Sequence, residues 1–295
     1  MSIGDLSALP APDVLEPLDF EDVYAESLGT FRGYMGDNWT AALESDPVTK
    51  VIEVGTYNKV GNRARVNDAG KALLLAHAIG SDLDHLGANV NLKRLVIQVA
   101  DLRAVPPVPE VKEQDDPFRE RIQLAYEGLT TAGPRNSYIL HARNASGLVA
   151  DATAESPGPC RVTVTVLSSE GEGVASPELL ATVATELNDE DVRPLTDFVT
   201  VQSAEIIHYR IDAILHMNGA GPEGDASLTE ANRRLAAWIN PRKRLGVEVA
   251  RSAIDAQLHV AGVSRVELTG WVDLAPTKAQ AAYCTEFKVV MAGAT

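Results

Sequence analysis

Apolar positions three and four apart give the chain its first readable pattern. Phe20, Val23, Tyr24 and Leu28 predict a helix from Asp19 to about Gly33. Asp46-Pro47 reads as an N-cap followed by a proline at the first helical position. After it Val48, Val51, Ile52, Val54, Tyr57, Val60 and Ala64 form an apolar stripe. Ala72, Leu73, Leu75, Ala76 and Ile79 continue that stripe, over roughly 45 Å if the helix is unbroken. So long a helix needs other helices to cover it, which makes Val48, Val51, Ile52, Val54, Tyr57, Val60, Leu73 and Ile79 the candidate interface. Gly55, Gly61 and Gly70 each cost about 1 kcal/mol relative to alanine in a helix. They suit either close approach of a neighbouring backbone or a break into shorter helices. Ser81 is expected to cap a further short helix, with Asp82 and Asp84 in its first turn. Ahead of all this, residues 1–17 are too broken by proline for a helix and too apolar for a free tail. They predict an extended arm that needs a surface to lie on.

Residues 95–115 alternate weakly and carry Pro106, Pro107 and Pro109, which predicts an exposed linker. From Asp116 the pattern becomes mixed. Asp116-Pro117 caps a helix bearing Phe118, Ile122, Ala125, Tyr126 and Leu129, and a second helix covers Asn136 to Ser146. Arg161–Leu167 alternates as a strand, and Ser176-Pro177 caps a helix bearing Leu179, Leu180, Val183 and Leu187. Strands at 198–204 and 205–217, helices at 227–240 and 251–260, and strands at 263–269 and 283–290 follow. The fold class is therefore α+β: an N-terminal helical, bundle-forming region followed by two small α/β modules with mixed or antiparallel sheets. The expected divisions are 1–94 for the arm and helical region, 95–115 for the linker, 116–197 for the first αβ module and 198–295 for the second.

Charge and composition narrow the functions open to such a chain. The 295 residues carry 41 acidic and 26 basic side chains, a net charge of -15, with no basic run longer than Arg242-Lys243-Arg244. Phosphate backbones and anionic lipid surfaces would be repelled, so neither nucleic acid nor membrane is an expected partner. Cys160 and Cys284 suit reduced thiols rather than a disulfide framework. No apolar run of about 18 residues exists to span a bilayer, and no secretory signal opens the chain.

Catalytic grammar is thin. Gly219-Ala-Gly-Pro-Glu-Gly224 satisfies G-x-G-x-x-G between a strand and a helix. Its preceding strand, however, alternates between an apolar face and one with His208, Arg210 and Asp212, and Glu223 and Asp225 put negative charge where a pyrophosphate would sit. The six histidines show no metal-ligand spacing; His208 and His216 lie about 27 Å apart along one strand. No G-x-S-x-G elbow presents a nucleophile. The cluster Glu178, Glu186, Asp189, Glu190 and Asp191 reads as a solvated face. No catalytic, cofactor-binding or metal-ligating residue is assigned, and no cofactor is expected.

Three segments together carry a family resemblance: Leu187–Val201, Leu245–Val266 and the opening Leu9–Leu15. In order and spacing, over about Asp5 to Lys288, they resemble the baseplate J-like family of contractile-tailed phages and R-type tailocins. The resemblance implies a non-enzymatic wedge protein of a tail baseplate, located in the virion or tailocin particle and assembled in the bacterial host cytoplasm. Its implied partners are a second copy of itself, a wedge subunit of the I-like family, sheath-initiator and hub or tube-proximal baseplate proteins, and fibre-bearing proteins indirectly. Wedges of this kind close a six-fold ring around the tail tube and relay the trigger for sheath contraction. Two rival readings are a cytosolic adaptor or chaperone that binds one partner helix through the same stripe, and a dinucleotide enzyme resting on Gly219, Gly221 and Gly224.

Overall fold

The computed structural model describes residues 6, 9, 12–36, 43, 45–129, 134–218, 222–240 and 243–292. The chain divides into two compact units, Met1–Lys93 with Phe118–Ile122, and Arg94–Pro117 with Gln123–Thr295.

The first unit is helical. Helix α1 spans Phe20–Met35 and helix α2 spans Pro47–Ala72; the Asp19 carboxylate caps the first by accepting from the Asp22 N–H, and Asp46 caps the second through the Val48 N–H. Helix α2 is thus 26 residues long, roughly 39 Å. It stops at Ala72 rather than running on to Ile79, and Leu73–His77 form tight turns. Helix α3, Gly80–Ala88, follows with Ile79 at the N-cap position and no side-chain cap bond, so Ser81 lies inside the first turn instead of capping it. Gly80 takes φ of 53°, a left-handed conformation that lets the chain turn sharply into α3.

Helix α4, Asp115–Leu124, contributes Phe118 and Ile122 to a small core with Ala78 and Leu83. Arg119 donates from its guanidinium to the carbonyls of Leu75 at 2.8 Å and Ala78 at 2.7 Å, satisfying the turns that end the long helix. Buried Arg121 lies over the Phe118 ring and donates to the Lys93 carbonyl.

The second unit opens with a hairpin where the sequence suggests a linker. Strands β1 (Val96–Gln98) and β2 (Val111–Lys112) pair antiparallel, and an Asp101–Val108 bridge extends them toward a tip that exposes Val99, Leu102 and Val105. At its base, buried Glu113 accepts from the Leu95 N–H while its own carbonyl accepts from Arg94, whose guanidinium also sits 2.6 Å from Asp115. Prolines spaced along a weakly alternating stretch hid this pairing, because they sit near the tip, where the ladder needs few donors.

Two three-stranded sheets make up the rest. Strand β3 (Val149–Gly158) pairs antiparallel with β4 (Arg161–Ser168), and β4 pairs parallel with β5 (Phe198–Ser203). Helices α5 (Arg135–Ala145) and α6 (Pro177–Leu187) cover this sheet. Tyr138, Ala142, Val164, Val166, Val183 and Leu187 form its core. In the second sheet, β6 (Glu205–Met217) is central, antiparallel to β7 (Val263–Leu268) and parallel to β8 (Gln280–Met291). Helices α7 (Pro222–Trp238) and α8 (Arg251–Leu258) pack Ala231, Leu235, Ile254 and Leu258 onto Ile211, Ala213 and Leu215.

This is the expected α+β class. Two further details differ from the sequence reading. Strand β3 went unread because Ala, Asp, Ser and Pro give it little β propensity, and it holds its place through pairing with β4. Helix α7 begins at Pro222, not Ser227.

Candidate functional site

The outer side of α2 is where this chain departs furthest from an ordinary buried helix. Its inner side, turned to α1, carries Thr49, Thr56 and Asn67, buried to 4%, 1% and 6% exposure. Flanking them are charged pairs: Lys59 to Glu26 at 2.9 Å, Arg63 to Glu26 at 3.3 Å and Arg63 to Glu16 at 2.7 Å. The Lys59 hydrogen bond and charge, with Arg63 adding to them, hold the Glu26 carboxyl below its ordinary range. The Thr49 and Thr56 hydroxyls make no hydrogen bond among the described residues.

Apolar side chains point the other way. Val51, Val54 and Tyr57 are 71%, 63% and 73% exposed. Val66 is exposed as well. Gly55 and Gly61 face open space: a Cβ built on either meets nothing within 4 Å. Gly70 differs, because the Val14 side chain of the N-terminal arm sits 2.9 Å from where its Cβ would be. The arm is thus held against α2 at Val14 and Glu16, within its described residues. So Gly70 is explained within the chain, and Gly55 and Gly61 are not.

The eight sequence-selected residues do not share one stripe. At 3.6 residues per turn, Val51 and Val54 lie on the exposed side, with Tyr57 flanking them. Ile52 and Val60 lie nearer α1 and are half-buried, as is Val48. Leu73 and Ile79 are exposed but fall beyond the end of α2. The inner side escaped the sequence reading because it is polar; its only trace is the spacing of Thr49, Thr56, Arg63 and Asn67, a near-heptad of polar residues.

Elsewhere the chemistry is sparse. Among the described residues no group of three or more His, Cys, Asp or Glu is gathered to hold a metal ion, and no helix is long and apolar enough to cross a membrane. Both cysteines are free, Cys160 exposed and Cys284 buried, and burial raises the Cys284 thiol above its ordinary range. The glycine-loop residues Gly219, Ala220 and Gly221 lie outside the described residues. Strand β6 ahead of them keeps the alternation read from sequence, with Ile211, Ala213 and Leu215 buried and His208 and Arg210 exposed. His208 pairs with Glu172 at 2.9 Å and His216 with Glu267 at 3.3 Å, separate pairs on the outer face of the sheet.

One part-buried polar site is a joint. The Asp151 carboxylate, on β3, accepts from the Ala152 N–H and, 94 residues along the chain, from the Leu245 N–H at 3.1 Å. Burial raises its pKa, opposed by the Arg244 charge, the Leu245 hydrogen bond, Arg143 and the Ala152 hydrogen bond. Nothing about it presents a reacting group to solvent. It ties the two sheets of the second unit together.

Comparison with known proteins bears on a chain whose exposed apolar helix is its most prominent surface. Residues 44–101, which include all of α2, match the Baseplate J-like N-terminal domain. Residues 130–203, from before α5 to the end of β5, match the Baseplate J-like central domain. The chain is 47% identical over 300 residues to the Baseplate protein J of Escherichia phage P2, covering 99% of each protein. Likeness of that extent, running through both units, places this chain in the baseplate J-like family.

Proposed function

We propose that this protein is a structural component of a contractile-tail baseplate, resident in the virion or tailocin tail, and that it works by packing rather than by chemistry. The observation that carries the proposal is its end-to-end similarity to the phage P2 Baseplate protein J. The inverted α2, polar inside and apolar outside, supports it: an isolated chain gains nothing by showing Val51, Val54 and Tyr57 to water.

In this reading α1 and α2 bundle with those of a second copy and with a wedge subunit of the I-like family. Val51, Val54 and Tyr57 are the central contacts, Val48, Ile52 and Val60 the margins, and Leu73 and Ile79 reach a further neighbour. Gly55 and Gly61 admit a partner backbone. The division proposed for the chain is a wedge core over 1–94, the connecting hairpin over 95–115, and wings over 116–197 and 198–295 that meet adjacent wedges to close a six-fold ring. Sheath-initiator and hub-proximal proteins meet that ring, and fibre proteins act on it indirectly. Release of the sheath is then a switch between two packings of the ring.

Light scattering after size exclusion tests the wedge, on the chain alone and coexpressed with the product of the adjacent gene. A complex of two copies of this chain and one neighbour is expected. A monomer indifferent to that neighbour would overturn the wedge.

A further inference from the structure

The second sheet has unequal edges. Along Gln280–Cys284 the edge of β8 is closed: the Gly246 N–H donates to the Gln280 carbonyl, and the Asn240 amide both donates to the Cys284 carbonyl at 2.8 Å and accepts from its N–H at 2.9 Å. Beyond it, the Glu286 side chain reaches inward across the sheet to Arg210 of β6 at 2.8 Å and leaves the outer edge of β8 uncovered there. At the other side, among the described residues, β7 pairs with β6 alone. Thr269 donates to the Asp212 carbonyl, which fixes the phase of that ladder: Arg265 and Glu267 turn their backbone groups toward β6, and Ser264, Val266 and Leu268 turn theirs outward. Those outward groups have no partner among the described residues. An open edge of this kind is a template for another strand.

We propose that β7 pairs antiparallel with β7 of a second copy of this chain, about a two-fold axis at Val266. The charge pattern selects that occupant. A two-fold at Val266 makes Val266 and its counterpart a hydrogen-bonded pair, and it sets Arg265 of each copy directly opposite Glu267 of the other. Both lie in the non-hydrogen-bonded positions, where side chains approach most closely. Arg265 and Glu267 project from the same solvent-facing side of the sheet, 67% and 46% exposed, and pair with each other at 3.2 Å in the single chain. The sequence Arg-Val-Glu is thus its own complement across a two-fold axis, as an isologous contact requires. The two sheets become one continuous sheet, with Ser264 of each copy opposite Leu268 of the other. This proposal rests on the baseplate reading for the reason two copies meet, and it names a contact separate from the α2 bundle.

The test uses the full chain carrying Val51→Asp and Val54→Asp, which removes the proposed bundle, and measures self-association by sedimentation equilibrium at low ionic strength. Dimerisation is expected to persist there. Adding Arg265→Glu or Glu267→Arg should weaken it by on the order of tenfold, since either change sets like charges opposite each other twice. Arg265→Glu with Glu267→Arg together should restore it, because reversing both charges rebuilds the same complement. A partner other than a second copy gives no such rescue, so a double variant no better than the singles overturns the proposal. So does a background variant that is monomeric at every concentration while the unmodified chain assembles, an outcome that leaves the bundle intact. If Val51→Asp and Val54→Asp change nothing while the charge variants behave as expected, the bundle fails and the β7 contact stands.

Discussion

Asn67 and Glu16 form a closed pair of hydrogen bonds. The Asn67 side-chain carbonyl accepts from the Glu16 N–H at 2.9 Å, and its amide donates to the Glu16 carbonyl at 2.8 Å. One side chain on α2 thereby supplies both backbone needs of a residue in the arm, as a neighbouring strand would. With Val14 against Gly70 and Glu16 on Arg63, this fixes the arm along the helix.

Asn67→Ala is therefore expected to free the arm at a cost of about 1–3 kcal/mol, since a part-buried N–H and carbonyl both lose their partner. Limited proteolysis should show faster cleavage ahead of Phe20, with the sheets of the second unit unaffected. Unchanged cleavage would mean that Val14 and Arg63 suffice.

Opposite sides of α2 should respond in opposite senses. Val51→Asp and Val54→Asp lie in water and should change the stability of the isolated chain by no more than about 0.5 kcal/mol, while blocking assembly with the neighbouring gene product. Thr56→Val keeps the shape and removes a buried hydroxyl that has no partner, so it should stabilise the isolated chain by roughly 1 kcal/mol. Thermal melts and size exclusion on the same samples separate the effects.

At Gly87 the space is taken. A Cβ there would run into the Phe118 ring and approach the Leu92 carbonyl at 3.1 Å. Gly87→Ala should destabilise the helical unit by about 1–3 kcal/mol through overpacking. Gly55→Ala, in open space, should instead raise helix stability by up to about 1 kcal/mol in the free chain. If both behave alike in denaturant titrations, the packing of α3 against Phe118 is wrong.

Asp151 gives a pH signature. Its folded-state pKa is raised, chiefly by burial, so the folded chain holds that proton more tightly than the unfolded chain. The resulting stability is complete below the ordinary carboxylate range and is lost as pH rises through the raised value. Asp151→Asn keeps an acceptor for the Leu245 N–H and removes the titration. Melting temperature against pH should then fall less steeply for the variant just above the ordinary carboxylate range. Parallel curves would exclude Asp151 as the source.

Most of the fold was legible where local pattern and burial agree. Asp46-Pro47 and Ser176-Pro177 mark true helix starts, and the alternation of β6 survives in its sheet, whereas β4 forms where it was read but is buried on both faces from Val164 to Ser168. Reading failed where partners decide. Strand β3 is a strand because β4 lies beside it, and Asn240 replaces a strand at Cys284 from 44 residues away. On α2 apolar positions occur all around the helix, and only its packing on α1 determines which of them are left exposed. Asp151 and Leu245 are too far apart in sequence for any spacing rule to join them.

A single residue, Ala204, separates β5 from β6, and the chain is held on both sides of that point: the Ala204 N–H donates to Val166 and the Glu205 N–H to Ala279. Leu167, Ala204, Leu245 and Ala281 fill the space around it. A push on either sheet should therefore meet a joint with little slack, and be passed to the other more readily than absorbed by bending. The second unit should behave as a stiff lever, one that tolerates added length at its loop tips and none at Ala204.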